Sequence, residues 1–382
     1  MPARFWFAVV SFHLVIGAVS VWAGRRLLSV ADAPARRWTS QLLVSVLVLA
    51  TAIVAAGIPA AAIASWSRFT ALRLLAQVLF GEILLVTAIL GIFGLRGRRL
   101  GRACALLAVA LVIGSAYVEA YHREPHDLQI RTHEIALTRL PDNVPALTIA
   151  HISDIQTAAV GRYEERALRE AVRLAPDLVV LTGDYVQGRD HDPPRELIRS
   201  FQELVQRAGL HARLGVYAVK GDVDGDDWAR LFDGTSVTCL RDETAVVTLG
   251  GGRTMAIVGL DSGTSHARQP AAVRRALAKA PPADVRIVIG HAPDFITGIE
   301  PGSVDLALAG HTHGGQVVLP LVGPPLVLTR LPRRYAADVH DYEGTPLHVS
   351  RGVGMERGTA PQFRFLCRPE ICLLRITHPS TH

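Results

Sequence analysis

Four apolar stretches in the first third of the chain limit its architecture more than any other part of the sequence. Each has about 20 residues and few charges, which is the length that an α-helix needs to cross a hydrocarbon core of about 30 Å. Because lipid offers the backbone no hydrogen-bond partners, such segments cross a membrane as helices. We therefore expect a multi-pass protein of the cell membrane. Residues 1–122 would form four transmembrane helices, near 5–24, 40–65, 72–95 and 102–121.

The short loops between these stretches predict the orientation of the chain. Two loops are rich in arginine, the first with Arg25, Arg26, Arg36 and Arg37, and the third with Arg96, Arg98, Arg99 and Arg102. Such loops stay in the cytoplasm, so the C-terminal domain is expected outside it. The loops also explain most of the formal net charge of +6. We expect no nucleic-acid partner, because the C-terminal part lacks a basic stripe with interleaved aromatic residues.

The cysteines do not predict a disulfide framework. The chain has 4 cysteines, and Cys104 falls within a predicted span. The other three, Cys239, Cys367 and Cys372, allow at most one intramolecular bridge, for which Cys367 and Cys372 are close enough in sequence to be candidates. Their spacing matches no zinc-binding pattern.

From about residue 125 the pattern changes to strands that alternate with helices. Residues 162–177 and 196–209 repeat apolar side chains with the helical period. Residues 128–137 are expected to form the first edge strand, and the glycines at 250–252 predict a hairpin. The remaining strand-like runs are PALTIAHISD (145–154), DLVVLTGD (177–184), GVYAVKGDVD (215–224), MAIVGLD (255–261), VRIVIGHAPD (285–294) and LALAGHTHGG (306–315). The alternation predicts an α/β domain over residues 123–382.

Most of these strand-like runs end in carboxylate or imidazole side chains: Asp154, Asp184, Asp222 with Asp224, His291, and His311 with His313. Taken singly, each has a structural explanation as a helix cap, a turn residue or a histidine at a strand end on the surface. Ligands gather at the carboxyl ends of strands in sheets of this kind, and aspartate with histidine is a ligand set for divalent metals. The combination therefore predicts a metal site.

The ordered series of motifs resembles the calcineurin-like metallophosphoesterase family, and within it a bacterial membrane-associated branch. The similarity covers residues 128–377, because 346–354 and 368–376 also resemble the closing strands of that branch. It implies a four-layer α/β/β/α sandwich. The motifs are SDIQ (153–156), TGDYV (182–186), KGDVD (220–224), IGHAPD (289–294) and AGHTHGGQV (309–317).

The resemblance also implies a centre of two divalent metal ions. One ion would be held by Asp154 and His313, with Gln156 beside them, and the other by Asp222, His291 and His311. Asp184 would bridge both. Three residues depart from the family pattern: Gln156 replaces a histidine, Asp222 an asparagine, and Val223 a histidine that contacts the substrate. More oxygen ligands favour harder ions, so we expect Mn²⁺, with Mg²⁺, Fe and Zn²⁺ as alternatives.

The implied function is a membrane-anchored phosphoesterase that hydrolyses a phosphomonoester, phosphodiester or pyrophosphate bond with a hydroxide activated by two metals. Asp184 and Asp224 are its candidate catalytic residues, although a solvated acidic turn explains Asp224 better. The substrate would be a phosphorylated small molecule or a lipid-linked phosphate. Because Val223 removes a proton donor, a metal-binding sensor or assembly domain on a membrane anchor is the alternative. The sequence leaves the oligomeric state open.

Overall fold

A computed structural model of the chain describes residues 68–96, 100–188, 193–266, 270–358 and 360–379. Two of the predicted spans, near residues 5–24 and 40–65, lie outside the described residues. The same holds for the arginines of the first loop and for Arg98 and Arg99 of the third. The predictions for these segments therefore stay predictions.

Two helical segments correspond to the third and fourth predicted spans. They are built from α1 (Arg68–Gln77), a π-helical turn (Val78–Ile83), α2 (Leu84–Arg96), α3 (Leu100–Val118) and a second π-helical turn (Glu119–Arg123). Within them, Leu75–Leu95 and Leu100–His126 are long and apolar enough to cross a membrane, by length and composition. Several large apolar side chains on them face outward, among them Leu85, Leu111 and Val112.

A second compact unit comprises Ala120–Gly358 and Gln362–His382 and contains two six-stranded sheets. Its strands are β1 (Gln129–Ala136), β2 (Leu147–Ile152), β3 (Leu178–Leu181), β4 (Val216–Ala218), β5 (Val237–Cys239), β6 (Glu243–Thr248), β7 (Thr254–Gly259), β8 (Val285–Ile289), β9 (Leu306–Ala309), β10 (Asp338–Tyr342), β11 (Thr345–Val349) and β12 (Glu370–Thr377). The first sheet has the order β1-β12-β2-β3-β4-β5, and the second has the order β10-β11-β9-β8-β7-β6. Strands β2 to β5 are parallel, and so are β7, β8, β9 and β11.

The helices of this unit are α4 (Arg162–Arg173), α5 (Arg195–Ala208), α6 (Ser262–Ser265) and α7 (Pro270–Ala278). Short 3₁₀ turns lie at Glu124–His126, Trp228–Phe232, Gly250–Gly252, Pro293–Gly298, His313–Gly315 and Arg333–Ala336. Helix α4 begins at a capping arrangement in which the Glu164 carboxylate accepts a hydrogen bond from Gly161 N at 2.9 Å. Helix α5 ends at Gly209, whose φ of 62° is left-handed, a conformation that glycine adopts without steric cost.

Three apolar layers hold these elements together. Leu168, Phe201 and Leu204 of α4 and α5 pack on the outer face of the first sheet, and Val273 of α7 with Phe295 packs on the outer face of the second. Between the sheets lies a third cluster, formed by Ile149, Leu178, Val180, Met255, Ile257, Ile287, Leu308, Leu374 and Ile376. The predicted fold of two packed sheets with helices outside them is confirmed.

The structure differs from the sequence-based expectations in several elements. Helix α4 ends at Arg173, because Ala175 adopts a left-handed φ of 45° before Pro176 is reached. Strand β5 (Val237–Cys239) was not among the predicted strand-like runs, and β12, the last in the sequence, lies between β1 and β2. Strand β1 is an edge strand and β6–β7 is a hairpin, as expected. Cys367 and Cys372 are both buried free thiols in the structure.

Candidate metal centre

The predicted ligands lie where strands of both sheets end. Asp154, Asp184 and Asp222 follow β2, β3 and β4, while His291 follows β8, and His311 and His313 follow β9. Several of these residues have left-handed φ angles that disfavour ordinary side chains: Asp154 at 51°, Gln156 at 41°, Asp184 at 57°, His311 at 68° and His313 at 49°. Backbone strain of this kind concentrates at functional sites, where the surrounding structure holds it in place.

Asp154 joins the first sheet to the loop after β9. Its carboxylate accepts hydrogen bonds from the backbone N–H of His311 and from the hydroxyl of Ser153. His313 Nε2 lies 3.7 Å from Asp154 Oδ1, and both side chains are buried. Burial lowers the pKa of His313 to about 3, so the ring is neutral and one of its two nitrogens has a lone pair that a cation can bind.

Asp184 is buried at the centre of the group. Its Oδ1 accepts a hydrogen bond from Val223 N at 3.1 Å and lies 3.3 Å from His291 Nε2. A Cβ on Gly221 would collide with Asp184 Oδ1, so only glycine allows this approach. Burial raises the pKa of Asp184 well above its usual value, and Asp222 adds to this effect. An uncompensated carboxylate at this depth requires a cation or a proton.

Asp222, His291 and His311 form a second group with His266. His291 Nε2 lies 3.0 Å from Asp222 Oδ1 and 3.2 Å from His311 Nδ1. His291 Nδ1 is 2.7 Å from the carbonyl of Thr182 and donates to it, which directs Nε2 at the carboxylates. Burial alone would lower the pKa of His291, but Asp184 and Asp222 hold it well above its usual value. The surroundings of Nε2 therefore stabilise positive charge.

Gln156 lies beside the first group, at the motif position where the resemblance implies a histidine. The side chain is buried, and its Nε2 is 3.5 Å from Glu356 Oε2. Its backbone N–H donates to the carbonyl of Asp184 at 2.8 Å, which ties the two motifs together. Among the described residues, the amide oxygen of Gln156 has no hydrogen-bond partner.

Several other buried polar atoms at this site also lack a hydrogen-bond partner within the described chain: Asp184 Oδ2, both ring nitrogens of His313, and Nε2 of His266. Buried polar atoms in native proteins are almost always satisfied, so this concentration of free ligand atoms fits a site that binds a cation. Two groups of potential ligand atoms each lie within 4.8 Å of one another: Asp154 with Asp184 and His291, and Asp222 with His266, His291 and His311. The donor set fits divalent metal ions.

Comparison with known proteins agrees with this geometry. Residues 147–315 match the family model of calcineurin-like phosphoesterases. These residues form a calcineurin-like phosphoesterase domain. It is 28% identical over 289 residues to the uncharacterized metallophosphoesterase YkuE of Bacillus subtilis, covering 71% of this chain and 93% of that relative. It is 26% identical over 281 residues to the phosphodiesterase YaeI of Escherichia coli, covering 70% and 96%. It is 23% identical over 329 residues to the UDP-2,3-diacylglucosamine pyrophosphatase LpxG of Chlamydia trachomatis, covering 68% and 92%.

The matched domain and the relatives named as a phosphodiesterase and a pyrophosphatase confirm the prediction of a metal-dependent phosphoester hydrolase. In the third motif, Val223 stands where the resemblance implies a histidine. Val223 is buried, and it contributes its backbone N–H to Asp184. Its side chain has neither a donor nor an acceptor for a substrate.

Asp224, a candidate catalytic residue, is buried rather than solvated. Its carboxylate accepts hydrogen bonds from the backbone N–H groups of Asp184, Tyr185 and Gly221 at 2.8, 2.9 and 2.8 Å. These bonds hold the loop after β3 against the loop after β4. Asp226, by contrast, is exposed and pairs with Lys220 at 2.9 Å.

Two residues near the centre were not among the predicted ligands. His266 follows α6, and its ring centroid lies 4.6 Å from that of His311. The polar residues that follow MAIVGLD (255–261) were the feature of the sequence that could have indicated His266. Arg364 is fully buried and donates to the carbonyls of Arg351, Gly354 and Cys367, a role that no local pattern reveals. Arg351 itself is engaged by Glu370 at 2.7 Å and Asp338 at 2.5 Å, so it is an internal ion-paired residue.

Proposed function

We propose that this chain is a membrane-anchored phosphoesterase whose catalytic domain, residues 123–382, holds two divalent metal ions. The observation that carries the proposal is the convergence of unsatisfied carboxylate, imidazole and amide atoms from both sheets at one buried site. Asp154, Gln156 and His313 would hold one ion, and Asp222, His291 and His311 the other, with Asp184 shared between them. When bound, such ions polarise a phosphoryl group and lower the pKa of an attacking water.

The protein's own groups would fix this arrangement. Thr182 O orients the ring of His291, His311 N orients the carboxylate of Asp154, and Asp224 orients the backbone around Asp184. Asp154 and His291 are thus each held by a hydrogen bond with a second residue, as in other protein metal sites. We assign Asp224 to positioning, since all its hydrogen bonds go to backbone amides of the site.

The absence of an imidazole at Val223 bears on the substrate class. A protein acid that protonates the leaving oxygen contributes about 10²–10⁴-fold to rate, and valine contributes none of it. Substrates whose leaving group is itself a stable anion depend least on such an acid. We therefore infer a pyrophosphate, or a phosphodiester whose leaving group has a low pKa, rather than an alkyl phosphomonoester. The relatives YaeI and LpxG, named as a phosphodiesterase and a pyrophosphatase, support this inference.

A lipid-linked substrate is supported by the segment that follows His313. Leu319, Leu321 and Val322 lie in this segment with exposed side chains, and Leu366 near it is also exposed. Val317 bridges to Phe365, so Leu366 lies next to the segment that follows His313. Exposed apolar side chains on a segment that begins at a proposed metal ligand suit a substrate that carries acyl or isoprenoid chains.

The direct test uses the full-length protein in detergent micelles, freed of metal with a chelator and reloaded with Mn²⁺. The substrates are an activated aryl phosphodiester and a lipid-linked pyrophosphate. We expect Mn²⁺-dependent turnover that Asp184→Asn abolishes and that the exposed control Asp226→Asn leaves unchanged. Tight Mn²⁺ binding without turnover of either substrate would favour the alternative of a metal-binding sensor, for which the apolar side chain of Val223 is the supporting observation.

We propose Mn²⁺ as the preferred ion because Gln156 and Asp222 enrich the site in oxygen ligands. The metal content of protein purified without added metal tests this. The protein for this measurement carries Cys372→Ser, so that a buried thiol outside the catalytic centre does not contribute bound zinc. Stoichiometric zinc with no manganese in this variant would contradict the proposal.

We further propose that residues 123–382 lie outside the cytoplasm, on the basis of the arginine-rich loops and the two apolar helices. Asp226, which is fully exposed, offers a labelling position. In intact cells, a membrane-impermeant maleimide should label Asp226→Cys without permeabilisation. Labelling that requires permeabilisation would reverse the proposed orientation.

A further inference from the structure

A second group of metal-binding side chains lies between the two sheets, apart from the catalytic centre. His133 of β1 and Cys372 of β12 belong to the first sheet, and His348 of β11 belongs to the second. In the strand pairing, Cys372 lies opposite Arg131 of β1 and opposite His151 of β2. Because residues two apart in a strand point to the same side, His133 lies on the same face as Cys372, the inner face of the first sheet. Cys372 belongs to the cluster of mostly aliphatic side chains between the sheets. Polar groups in such a layer need partners.

The three side chains are close enough to share one ion. Each offers a ligand atom, and these atoms lie within 4.8 Å of one another. The rings of His133 and His348 have centroids 5.5 Å apart. Cys372 and His348 are fully buried. Nε2 of His133 and Nε2 of His348 are both buried without a hydrogen-bond partner in the described part of the chain.

A chain of hydrogen bonds determines which nitrogen of His348 carries its proton. Ser153 Oγ donates to Asp154, and Thr182 Oγ1 donates to Ser153 Oγ at 2.7 Å. The hydroxyl proton of Thr182 is thereby used, so His151 Nε2, 2.8 Å away, must donate to Thr182 Oγ1.

A positive charge on a fully buried ring costs free energy, so the imidazoles of His151 and His348 are both neutral. His151 Nδ1 is therefore an acceptor, and His348 Nδ1, 2.8 Å from it, is the donor. This leaves His348 Nε2 with a lone pair that no N–H or O–H group of the described residues meets.

We propose that His133, His348 and Cys372 bind a zinc ion at a structural site distinct from the catalytic centre. Two imidazole nitrogens and one thiolate are a borderline-soft ligand set that suits tetrahedral Zn²⁺ better than Mn²⁺ or Mg²⁺. Asp338 Oδ1, 4.0 Å from His133 Nε2, or a water would complete the tetrahedron. His348 then has the bonding typical of a metal-ligating histidine, with one nitrogen on the ion and the other donating a hydrogen bond.

Such an ion would link three strands of the two sheets. It ties the edge strand β1 and its neighbour β12 in the first sheet to β11 of the second. Through His348, His151, Thr182 and Ser153, it is also connected by hydrogen bonds to the carboxylate of Asp154. The zinc site would therefore stabilise the packing of the two sheets and, through these hydrogen bonds, help to orient the Asp154 carboxylate.

Cobalt substitution tests this proposal in the full-length protein in detergent. Co²⁺ bound to a thiolate shows a ligand-to-metal charge-transfer band in the near ultraviolet, and none of the proposed catalytic ligands is a thiol. After metal removal and saturation with Co²⁺, the wild type should show this band with the intensity of about one thiolate-bound Co²⁺ per chain. Cys372→Ser should abolish it and lower the zinc bound per chain by one ion.

Matched controls separate the new site from the catalytic one. Cys367 is a buried thiol beside His313 O, at 3.2 Å, and Cys239 is a thiol in β5. Cys367→Ser and Cys239→Ser should keep the band, and so should Asp184→Asn, which removes activity. His133→Gln, at a side chain that is 22% exposed, should fold and weaken Co²⁺ binding at least about tenfold. A band that survives Cys372→Ser, or that only Cys367→Ser removes, would overturn the proposal.

Discussion

The backbone N–H of His311 donates to both carboxylate oxygens of Asp154, at 3.0 and 3.1 Å. The two residues are 157 positions apart in sequence and belong to different sheets. Because each is a proposed ligand of a different ion, this contact sets the spacing between the two halves of the metal centre. The carboxylate is also held by Ser153, so its orientation is fixed before any ion arrives.

The close approach of these two loops depends on Gly310. A Cβ at this position would collide with Ser153 Oγ and Asp154 Oδ2. We expect Gly310→Ala to lower the free energy of unfolding by about 1–3 kcal/mol and to weaken Mn²⁺ binding, because the Asp154 carboxylate must move. Denaturant unfolding and metal titration measure the two effects. Gly250→Ala is the control, since a Cβ there makes ordinary contact 3.5 Å from Pro145. Equal stability of both variants would contradict the expectation.

Asp224→Asn distinguishes positioning from proton transfer. An amide places an N–H₂ group against backbone donors, so one or more of the three hydrogen bonds is lost, at about 1.5–3 kcal/mol for a charged acceptor. We expect a lower melting temperature and a fall in kcat of the same factor for aryl diesters with good and with poor leaving groups. A loss that grows with the pKa of the leaving group would instead show that Asp224 is a proton donor.

The sequence predicted the parts of the site that follow from strand order. Asp154, Asp184 and His291 each end an apolar run, and parallel strands bring such ends to one edge. His266 was missed because a short helix separates it from β7. The group of His133, His348 and Cys372 could not be predicted from the sequence, for another reason. It arises because β12 inserts between β1 and β2, and pairing between distant strands leaves no mark on local periodicity.

His266 lies against the ligands proposed for the second ion, and its position has a measurable consequence. Burial, with His311 and His291 nearby, lowers the pKa of His266 to about 4, so the ring is neutral at pH 7 and can hold or orient a ligand. We expect His266→Gln to weaken Mn²⁺ binding about 10–100-fold. His211→Gln is the control, because His211 is exposed and bonds to Gly209 O. Unchanged Mn²⁺ titration of His266→Gln would remove the residue from the site.

Arg364 is expected to be the most sensitive position of the closing segment. Its guanidinium donates to the carbonyls of Arg351, Gly354 and Cys367, at distances between 2.5 and 2.9 Å. Arg364→Met leaves these buried carbonyls without their hydrogen-bond donors. We expect the free energy of unfolding to fall by about 3–5 kcal/mol. Arg368→Met, which removes an exposed ion pair with Asp127, should cost less than about 1 kcal/mol. Comparable losses in the two variants would show that the buried contacts contribute little.

Val223→His tests how far the missing imidazole limits the enzyme. The backbone N–H of residue 223 donates to Asp184 Oδ1, so the substituted side chain projects from a loop that is already attached to the metal centre. We expect kcat to rise at least about tenfold for phosphodiesters with poor leaving groups, within the 10²–10⁴ range of general acid catalysis, and to change little for activated aryl diesters. Val223→Gln is the matched control, because an amide fills similar space but transfers no proton at neutral pH. If kcat rises equally in both variants, the effect comes from the polarity of the side chain at position 223. In that case the absence of a proton donor does not explain the substrate preference.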